Sequence, residues 1–218
     1  MTDAVSLSTE RGFVVNDERL KHWSTVLEEW TLLVERYCRL VRGDAPYLHG
    51  EHSNLNLLAG AAWRSGWVAL EEFSLGKSGR KDRRGRADLW LQSWMGSDYV
   101  EGKFGRYMDC DYEKAIDDAL YYLRKAKADV RRILRDGDKA ARKLGVTFVC
   151  MQSYGDKEET EDQQIAGFAL RCRQETKRVG MIAWCFPREA RSLGSDEGRT
   201  HFSGVLLLGS LWSRGSSR

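Results

Sequence analysis

A pattern of acidic and basic residues, D-x12-E-x-K, lies in the middle of the chain. It consists of Asp88, twelve intervening residues, and then Glu101, Gly102 and Lys103. The acidic residues lie in short runs with the alternation typical of strands, on either side of a turn signal at 95–98, so we expect a hairpin. Carboxylates and lysines are costly to desolvate unless they are paired or bind a ligand. The pattern therefore points to a metal or ion-pair site on this hairpin.

Strand geometry predicts how these side chains meet. Residues two apart share a face, which puts Tyr99, Glu101 and Lys103 together. Asp88 and Glu101 are symmetric about the midpoint of the hairpin, so their carboxylates are expected to meet across the ladder and hold Mg²⁺, with Mn²⁺ as a substitute. A register shift at Gly96 would require a bulge or a strand twist to bring Asp88 level again. The alternative is an ion pair of Glu101 with Lys103 or an arginine on a solvated strand face.

Hydrophobic periodicity predicts the elements that position this hairpin. We predict helices at 17–42, 51–65, 112–134 and 158–177, and strands at 67–75, 86–94, 97–104, 146–151, 179–186 and 204–211. Gly66 favours a strand over a continued helix for the first of these strands. The resulting order, α, α, β, β, β, α, β, α, β, β, is typical of an α/β or α+β layered domain with a mixed sheet.

The composition is that of one folded domain. The chain has 218 residues, of which 42% are apolar, and only two prolines. This length suits one sizeable core and is small for two. We divide the chain into an N-terminal helical extension at 1–45, a core at 46–155 and a C-terminal helix with strands at 156–218. No apolar run is long enough to cross a bilayer and the first residues do not resemble a secretory signal, so we expect a cytoplasmic protein with no membrane partner.

The first predicted helix carries a continuous apolar stripe. The spacings alternate between three and four, and the residues are Leu20, Trp23, Leu27, Trp30, Val34, Tyr37 and Val41. Such a stripe must pack against another surface. Two interpretations remain open: the helix packs on its own domain, or it forms the seam of a homodimer through residues 17–42.

With these elements around it, the D-x12-E-x-K pattern resembles the PD-(D/E)XK nuclease superfamily. The core of that superfamily is a helix, a three-stranded meander, a second helix and a fourth strand, and the resemblance covers roughly residues 50–152. The spacing and small size look most like the Holliday-junction-resolvase and restriction-enzyme-like branches. The resemblance implies a restriction-endonuclease-like mixed sheet flanked by helices, with an extra N-terminal amphipathic helix. Ala87 stands before Asp88 in place of proline, at a position that the family varies freely.

The resemblance also implies a reaction, the metal-assisted hydrolysis of phosphodiester bonds in DNA. Asp88 and Glu101 would hold Mg²⁺, and the carbonyl of Gly102 would add a ligand. Lys103 would orient the attacking water and stabilise the charge that develops on the phosphate.

A further glutamate commonly comes from the first core helix in this family. Glu51 occupies the matching place, on the same helix face as Leu55 and Leu58. Glu71 and Glu72 in the first predicted strand compete with it for this role, and we place Glu51 ahead of Glu72.

Positive charge is concentrated in two segments. Residues 77–86 hold six basic and one acidic side chain, and residues 124–143 hold nine basic and three acidic ones, although the formal net charge of the chain is +3. Arginine forks bind nucleic-acid phosphates. We predict DNA contacts from the loop between the first two meander strands, at Lys77, Arg80, Lys81, Arg83, Arg84 and Arg86; the alternative is a solvated hairpin tip. The second segment is interpreted as an ordinary helix face.

Other chemistries lack the residues that they need. The five cysteines are odd in number and at least 13 residues apart, so we predict buried thiols rather than disulfides or a zinc site. Of the four histidines only His49 and His52 are close, and neither a GxxxxGK[ST] loop nor a GxSxG elbow occurs. Two functions remain: a metal-dependent endonuclease, and a catalytically inactive nucleic-acid-binding or protein-interaction module on the same scaffold.

Overall fold

The structure is a computed structural model and describes residues 5–7, 10–76, 84–107, 112–133, 140–154, 161–175, 178–191, 193–194 and 200–213. The strands in these ranges are β1 Val5–Leu7, β2 Arg11–Val15, β3 Val68–Gly76, β4 Arg84–Ser93, β5 Gly96–Tyr107, β6 Arg142–Tyr154, β7 Met181–Cys185 and β8 Thr200–Leu211. They form one sheet in the order β1-β2-β7-β8-β6-β5-β4-β3. β5 and β6 are parallel, and the other neighbours are antiparallel.

Helices cover both faces of this sheet. They are α1 Ser24–Leu40, α2 Gly50–Arg64, α3 Tyr112–Arg131 and α4 Glu161–Glu175. Alternate residues of β6 show the two layers: Phe148 and Cys150 pack in one core with α1 and α2, and Val149 and Met151 pack in a second core with α3 and α4. The predicted α/β layered fold with a mixed sheet is confirmed. No helix in the described part of the chain is long and apolar enough to span a membrane.

Each predicted helix and strand has a counterpart, and two strands were missed. The predicted helix at 17–42 begins as a short 3-10 helix, Glu18–Trp23, and continues as α1. The missed strands are β1 and β2, of three and five residues. β2 pairs with β7 from Arg11 opposite Cys185 to Val15 opposite Met181. Because runs this short carry little periodicity and the partner lies at the other end of the chain, local sequence did not predict them.

The apolar stripe of the first helix is used inside the chain. Leu20, Trp23, Leu27, Trp30 and Val34 are fully buried in the core beneath α1 and α2. Side chains that are already removed from water have no apolar surface left to bury against a second subunit. These five residues of the stripe therefore pack on their own domain, whereas Val41, its last member, is 40% exposed. A homodimer through residues 17–42 stays a prediction.

Two glycines allow α3 to lie close to the sheet. A Cβ atom at Gly145 of β6 would be 2.8 Å from the backbone nitrogen of Lys127, and one at Gly105 of β5 would be 2.5 Å from the ring of Tyr122. Both Lys127 and Tyr122 belong to α3. A larger residue at either position would push the helix away, so these glycines set the distance between α3 and the middle of the sheet.

The described cysteines are buried free thiols, as predicted: Cys38, Cys150, Cys172 and Cys185. Burial raises the pKa of Cys38 and of Cys150 to about 12. Burial likewise raises the pKa of Cys185 well above its ordinary value. Cys110 lies outside the described residues.

Candidate active site

The β4–β5 hairpin has the register that places Asp88 opposite Glu101. The paired residues run from Ser93 opposite Gly96 to Leu89 opposite Val100, so Gly96 does not shift the register. Asp88 and Glu101 are the next residues of the two strands beyond Leu89 and Val100. Pairing between the two strands stops at this point.

Beyond this point the sheet divides. Residues 84–87 of β4 remain paired with β3, and residues 101–107 of β5 remain paired with β6. We call the opening between 84–88 of β4 and 101–107 of β5 the fork. An opening inside a sheet exposes backbone groups that would otherwise be paired. Side chains at its edge also have space to approach one another.

Asp88 closes the end of the ladder with its side chain. The backbone N–H of Gly102 donates to Asp88 Oδ2 at 2.8 Å. The carboxylate thus takes the place of a strand carbonyl, because a backbone donor at this depth must find a partner. This hydrogen bond holds Asp88 beside Gly102. The predicted meeting of the Asp88 and Glu101 carboxylates stays a prediction.

A strained residue lies across β4 from the fork. Glu72 has a φ of +50°, which is uncommon for a residue other than glycine. By register Glu72 is opposite Asp88, since Glu71 pairs with Leu89 and Phe73 with Ala87. Strain of this kind clusters at functional sites.

The strain at Glu72 coincides with a change of face along β3. Ala69 packs in the core with α1 and α2. Phe73 instead stacks on Trp90 at 5.4 Å between ring centroids and packs in the small cluster that contains Val130 of α3. Strand alternation alone would have put Ala69 and Phe73 on one face. An irregularity of this kind changes the direction of nearby side chains, and here it lies opposite Asp88.

Lys103 is the centre of a cluster of charges. Its Nζ donates to the carbonyl of Gly102 at 2.7 Å and forms ion pairs with Asp129 Oδ2 at 3.3 Å and Glu51 Oε1 at 4.0 Å. Burial acts to lower the pKa of Lys103, but the negative charges of Glu51, Asp88 and Asp129 outweigh it and raise the pKa. Lys103 is therefore a protonated cation at neutral pH.

Asp129 was not predicted as a member of this cluster. It lies in α3, within the segment that the sequence marks as basic. Its second oxygen, Oδ1, is 3.7 Å from Nη1 of Arg132. A single carboxylate in a basic helix is a signal that sequence reasoning could have used, but its partner Lys103 is far away along the chain.

Glu51 reaches the fork from the first turn of α2. Burial is the main cause that raises the pKa of its carboxyl, Lys103 opposes it and Asp88 adds to it. The backbone N–H of Phe104 acts to lower the same pKa. Of the three candidates for the additional glutamate, Glu51 is thus the one beside Asp88 and Lys103.

The two rival glutamates are turned to other partners. Glu72 forms an ion pair with Arg86 at 3.2 Å, and both side chains are exposed. Glu71 lies against the side-chain amide of Asn56 in α2. Neither contact involves the lysine of the motif.

Glu101 is 3% exposed and lies opposite Gly145 of β6. The residues on either side of it at a spacing of two both contact α3. Tyr99 packs in a cluster with Val130, and Lys103 pairs with Asp129. Strand alternation therefore puts Glu101 on the α3 face as well, in agreement with the predicted common face of Tyr99, Glu101 and Lys103.

The donors at the fork are suited to a hard cation. In the described ranges no three His, Cys, Asp or Glu side chains are arranged to hold a metal ion. Mg²⁺, however, is usually bound through only one or two carboxylates, while waters and substrate phosphates complete its octahedron. The carboxylates of Asp88 and Glu101, with the carbonyl of Gly102, are oxygen donors of the kind that such an ion prefers, so their chemistry fits it.

Most of the predicted DNA-binding loop is outside the described residues, namely Lys77, Arg80, Lys81 and Arg83. Arg84 begins β4, opposite Gly76. Arg86 is exposed and pairs with Glu72. DNA binding by this loop stays a prediction.

A second buried polar cluster lies at the turn end of the hairpin and was not predicted. Asp98 is fully buried and receives Arg142 Nε at 2.5 Å and Nη2 at 3.0 Å. Trp23 Nε1 donates to the same carboxylate at 3.2 Å, and His22 lies 3.4 Å from it and stacks on Trp67. Because its groups satisfy one another, this cluster joins the hairpin to β6 and the N-terminal helix rather than presenting reactive atoms.

Neither a family model, nor a curated protein, nor a solved structure matches this chain. What can be said of its function therefore rests on the fork: one carboxylate that ends a ladder, one lysine kept charged by three carboxylates, and a half-buried glutamate beside them.

Proposed function

We propose that this protein is a metal-dependent nuclease that hydrolyses phosphodiester bonds of DNA. The observation that carries the proposal is the meeting of Asp88 from β4, Lys103 from β5 and Glu51 from α2 at the fork. Three elements contribute one charged side chain each to a single opening. The pKa values of Lys103 and Glu51 are both raised, and shifted titratable groups in an opening of the fold are typical of a catalytic site.

The residues of the chain have separate tasks in the proposed reaction. Asp88 and Glu101, with the carbonyl of Gly102, would hold the Mg²⁺ or Mn²⁺. When bound, the ion supplies polarisation of the scissile phosphate and a lower pKa for a coordinated water. The attacking water gives up one proton as its oxygen forms a bond to phosphorus, the bond from phosphorus to the leaving oxygen breaks, and the leaving oxygen takes up a proton.

Lys103 contributes a fixed positive charge. Because its pKa is raised, it remains an ammonium group that stabilises negative charge on the phosphate rather than a base. Glu51 has a raised pKa and is a stronger base than an exposed glutamate, so it is suited to accept a hydrogen bond from the attacking water.

The test is cleavage of supercoiled plasmid and of a branched DNA with Mg²⁺, with Mn²⁺ and with EDTA. We expect cutting with either ion and none with EDTA. Lys103→Ala should reduce the rate by about 100-fold or more, which is typical for the loss of one stabilising charge.

Lys21→Ala is the matched control. Lys21 is a lysine of similar exposure, 29% against 25% for Lys103, and it pairs with Glu18 away from the fork. Its loss should leave the rate unchanged. Cutting in EDTA, or full activity of Lys103→Ala, would contradict the proposal. DNA binding without cutting would favour the inactive nucleic-acid-binding module.

A further inference from the structure

One surface remains that the proposed chemistry does not use, the solvent side of α3. It exposes the cations Arg124, Lys125, Arg131 and Arg132, which we call the α3 cationic face. Lys125, Arg131 and Arg132 follow Arg124 by one, seven and eight residues, which puts all four cations along one side of the helix. Tyr121 continues the same side, is 45% exposed, and carries the ammonium group of Lys125 at 4.3 Å from the centre of its ring.

Not all of the basic residues in this segment are available to a ligand. Arg142 is committed to Asp98, Lys143 donates to the carbonyls of Arg131 and Ile133, and Lys127 donates to Ser210. These three are structural. The other described cations of the segment are those of the α3 cationic face, where Arg132 also pairs with Asp129, and Arg135 and Lys139 lie outside the described residues. The structure therefore separates two populations that sequence alone had merged.

The cations of this face differ from several arginines elsewhere on the surface. Arg11, Arg64 and Arg188 each pair with a glutamate. In the described ranges, no ion pair with a carboxylate is found for Arg124 or Arg131. Positive charge that is not neutralised within the fold is available to an anionic partner.

The α3 cationic face is continuous with the fork. Asp129 contacts Lys103 through one oxygen and Arg132 through the other, at 3.3 Å and 3.7 Å. One carboxylate therefore links the lysine of the proposed active site to the edge of the cationic face. A strand held on α3 would lie beside the site where it is to be cut.

The same end of α3 also packs against the strand ends on either side of the basic loop. Val130 and Ile133 pack in one cluster with Leu75 and Ala87. Leu75 is near the end of β3 and Ala87 near the start of β4, the two strands that flank residues 77–83. The ends of β3 and β4 that flank the basic loop thus lie beside the C-terminal end of α3.

From these observations, and resting on the proposed nuclease function, we propose that the α3 cationic face binds the phosphate backbone of DNA and guides it to the fork. Seven residues of helix separate Arg124 from Arg131, which is about 10 Å along the axis. This length matches about three phosphates of one strand, at 3.4 Å of rise each. The partner is identified by its charge and repeat, not by base sequence.

The test measures binding without catalysis. A fluorescent 30-base-pair duplex is titrated with full-length protein in EDTA, at several salt concentrations between about 50 and 200 mM, the range over which phosphate contacts change affinity most visibly. The variant is Arg124→Gln with Lys125→Gln and Arg131→Gln. Glutamine has nearly the helix propensity of the residues replaced, so α3 is expected to remain folded.

The control removes the same charge from the opposite layer. Arg36→Gln with Arg39→Gln and Arg42→Gln takes three exposed cations from the end of α1 and the turn that follows it. We expect the α3 variant to bind about 10-fold or more weakly and its salt slope to fall by about 2–3, near 0.9 for each lost phosphate contact. The control should keep the affinity and the salt slope of the wild type. Arg131→Gln alone should lower the slope by about 1 and serves if the triple variant does not fold.

Each outcome decides a separate statement. Equal losses in the two triple variants, or no loss in the α3 variant, would overturn the assignment of this face, as would absence of binding by the wild type at low salt. Binding that depends on α3 in a protein that does not cut would leave the face intact and contradict the nuclease. If the protein cuts DNA and the α3 variant binds as tightly as the wild type, the nuclease proposal would stand and the assignment of the α3 cationic face would be overturned.

Discussion

At the scale of single residues, the main feature is a lysine that stays charged although it is largely buried. Lys103 is 25% exposed, and three carboxylates raise its pKa against the effect of burial. The surroundings of Glu51 instead disfavour its charged form, because burial and Asp88 raise its pKa more than Lys103 lowers it. The fork thus contains one cation that is stabilised and one anion that is disfavoured, as expected of a site prepared for an additional positive charge.

This imbalance gives a prediction for Glu51→Gln. The pKa of Glu51 is higher in the folded than in the unfolded chain, so its contribution favours folding at low pH and is lost as the pH rises through the folded pKa. At pH 7.5 the variant should be more stable than the wild type, with Tm higher by about 1–2 °C. Near pH 4 the gain should vanish, because the carboxyl is then protonated in both states.

Thermal unfolding at the two pH values checks this, with Glu28→Gln as a control for an exposed glutamate on α1. The same Glu51 variant should lose nuclease activity. A Tm below that of the wild type at pH 7.5 would show that the pair with Lys103 dominates over burial.

At the scale of elements, the fork depends on how closely α3 and α2 approach the sheet. Gly145 lets α3 lie against β6, which brings Asp129 to Lys103. Gly102 has the corresponding role on the other face, because a Cβ atom there would lie 3.0–3.2 Å from the side chain of Leu55 in α2. The glycine of the motif is therefore explained by helix packing as well as by its carbonyl.

Gly145→Ala tests this packing. Its Cβ atom would meet backbone atoms of α3, which cannot rotate away, and we expect a loss of about 1–3 kcal/mol in unfolding free energy. Gly167→Ala in α4 is the control, since no atom lies within 4 Å of the added carbon. It should stabilise by about 0.5–1 kcal/mol through helix propensity. Denaturant titration of both variants measures the difference, and an unchanged Gly145→Ala would contradict the close approach.

At the scale of the whole molecule, one sheet joins the two ends of the chain. β7 lies between the early strand β2 and the last strand β8, and β8 in turn pairs with β6, so strands from both ends of the chain are neighbours in the sheet. The core beneath α1 and α2 extends from Phe13 to Leu211. Cooperative unfolding of the described elements is expected, because no layer is built from one stretch of sequence.

Thiol reactivity reports on this cooperativity. The four described cysteines are buried, and burial raises the pKa of Cys38, Cys150 and Cys185, so their thiols are neutral and inaccessible at pH 8. In a Cys110→Ser variant, we expect no rapid reaction with a thiol reagent in the native protein and reaction of four thiols after denaturation. Rapid native labelling of any of the four would contradict a common closed core.

The sequence by itself determined the local features of this protein. Periodicity predicted the helices and the longer strands, and the symmetry of the hairpin predicted Asp88 opposite Glu101, because these depend on neighbours along the chain. The stripe of the first helix had two interpretations, and only the packed structure decided that its own core covers it.

Tertiary structure alone decided the rest. Three features join residues that are far apart in sequence: the short strands β1 and β2, the buried Asp98 cluster, and the pairing of Asp129 with Lys103. No local pattern predicts them. The sequence had already favoured Glu51 over Glu72, but the position of Glu51 beside Lys103 has the same origin. It depends on where α2 crosses the fork. The conformation of Glu72 is likewise imposed by long-range packing against local preference.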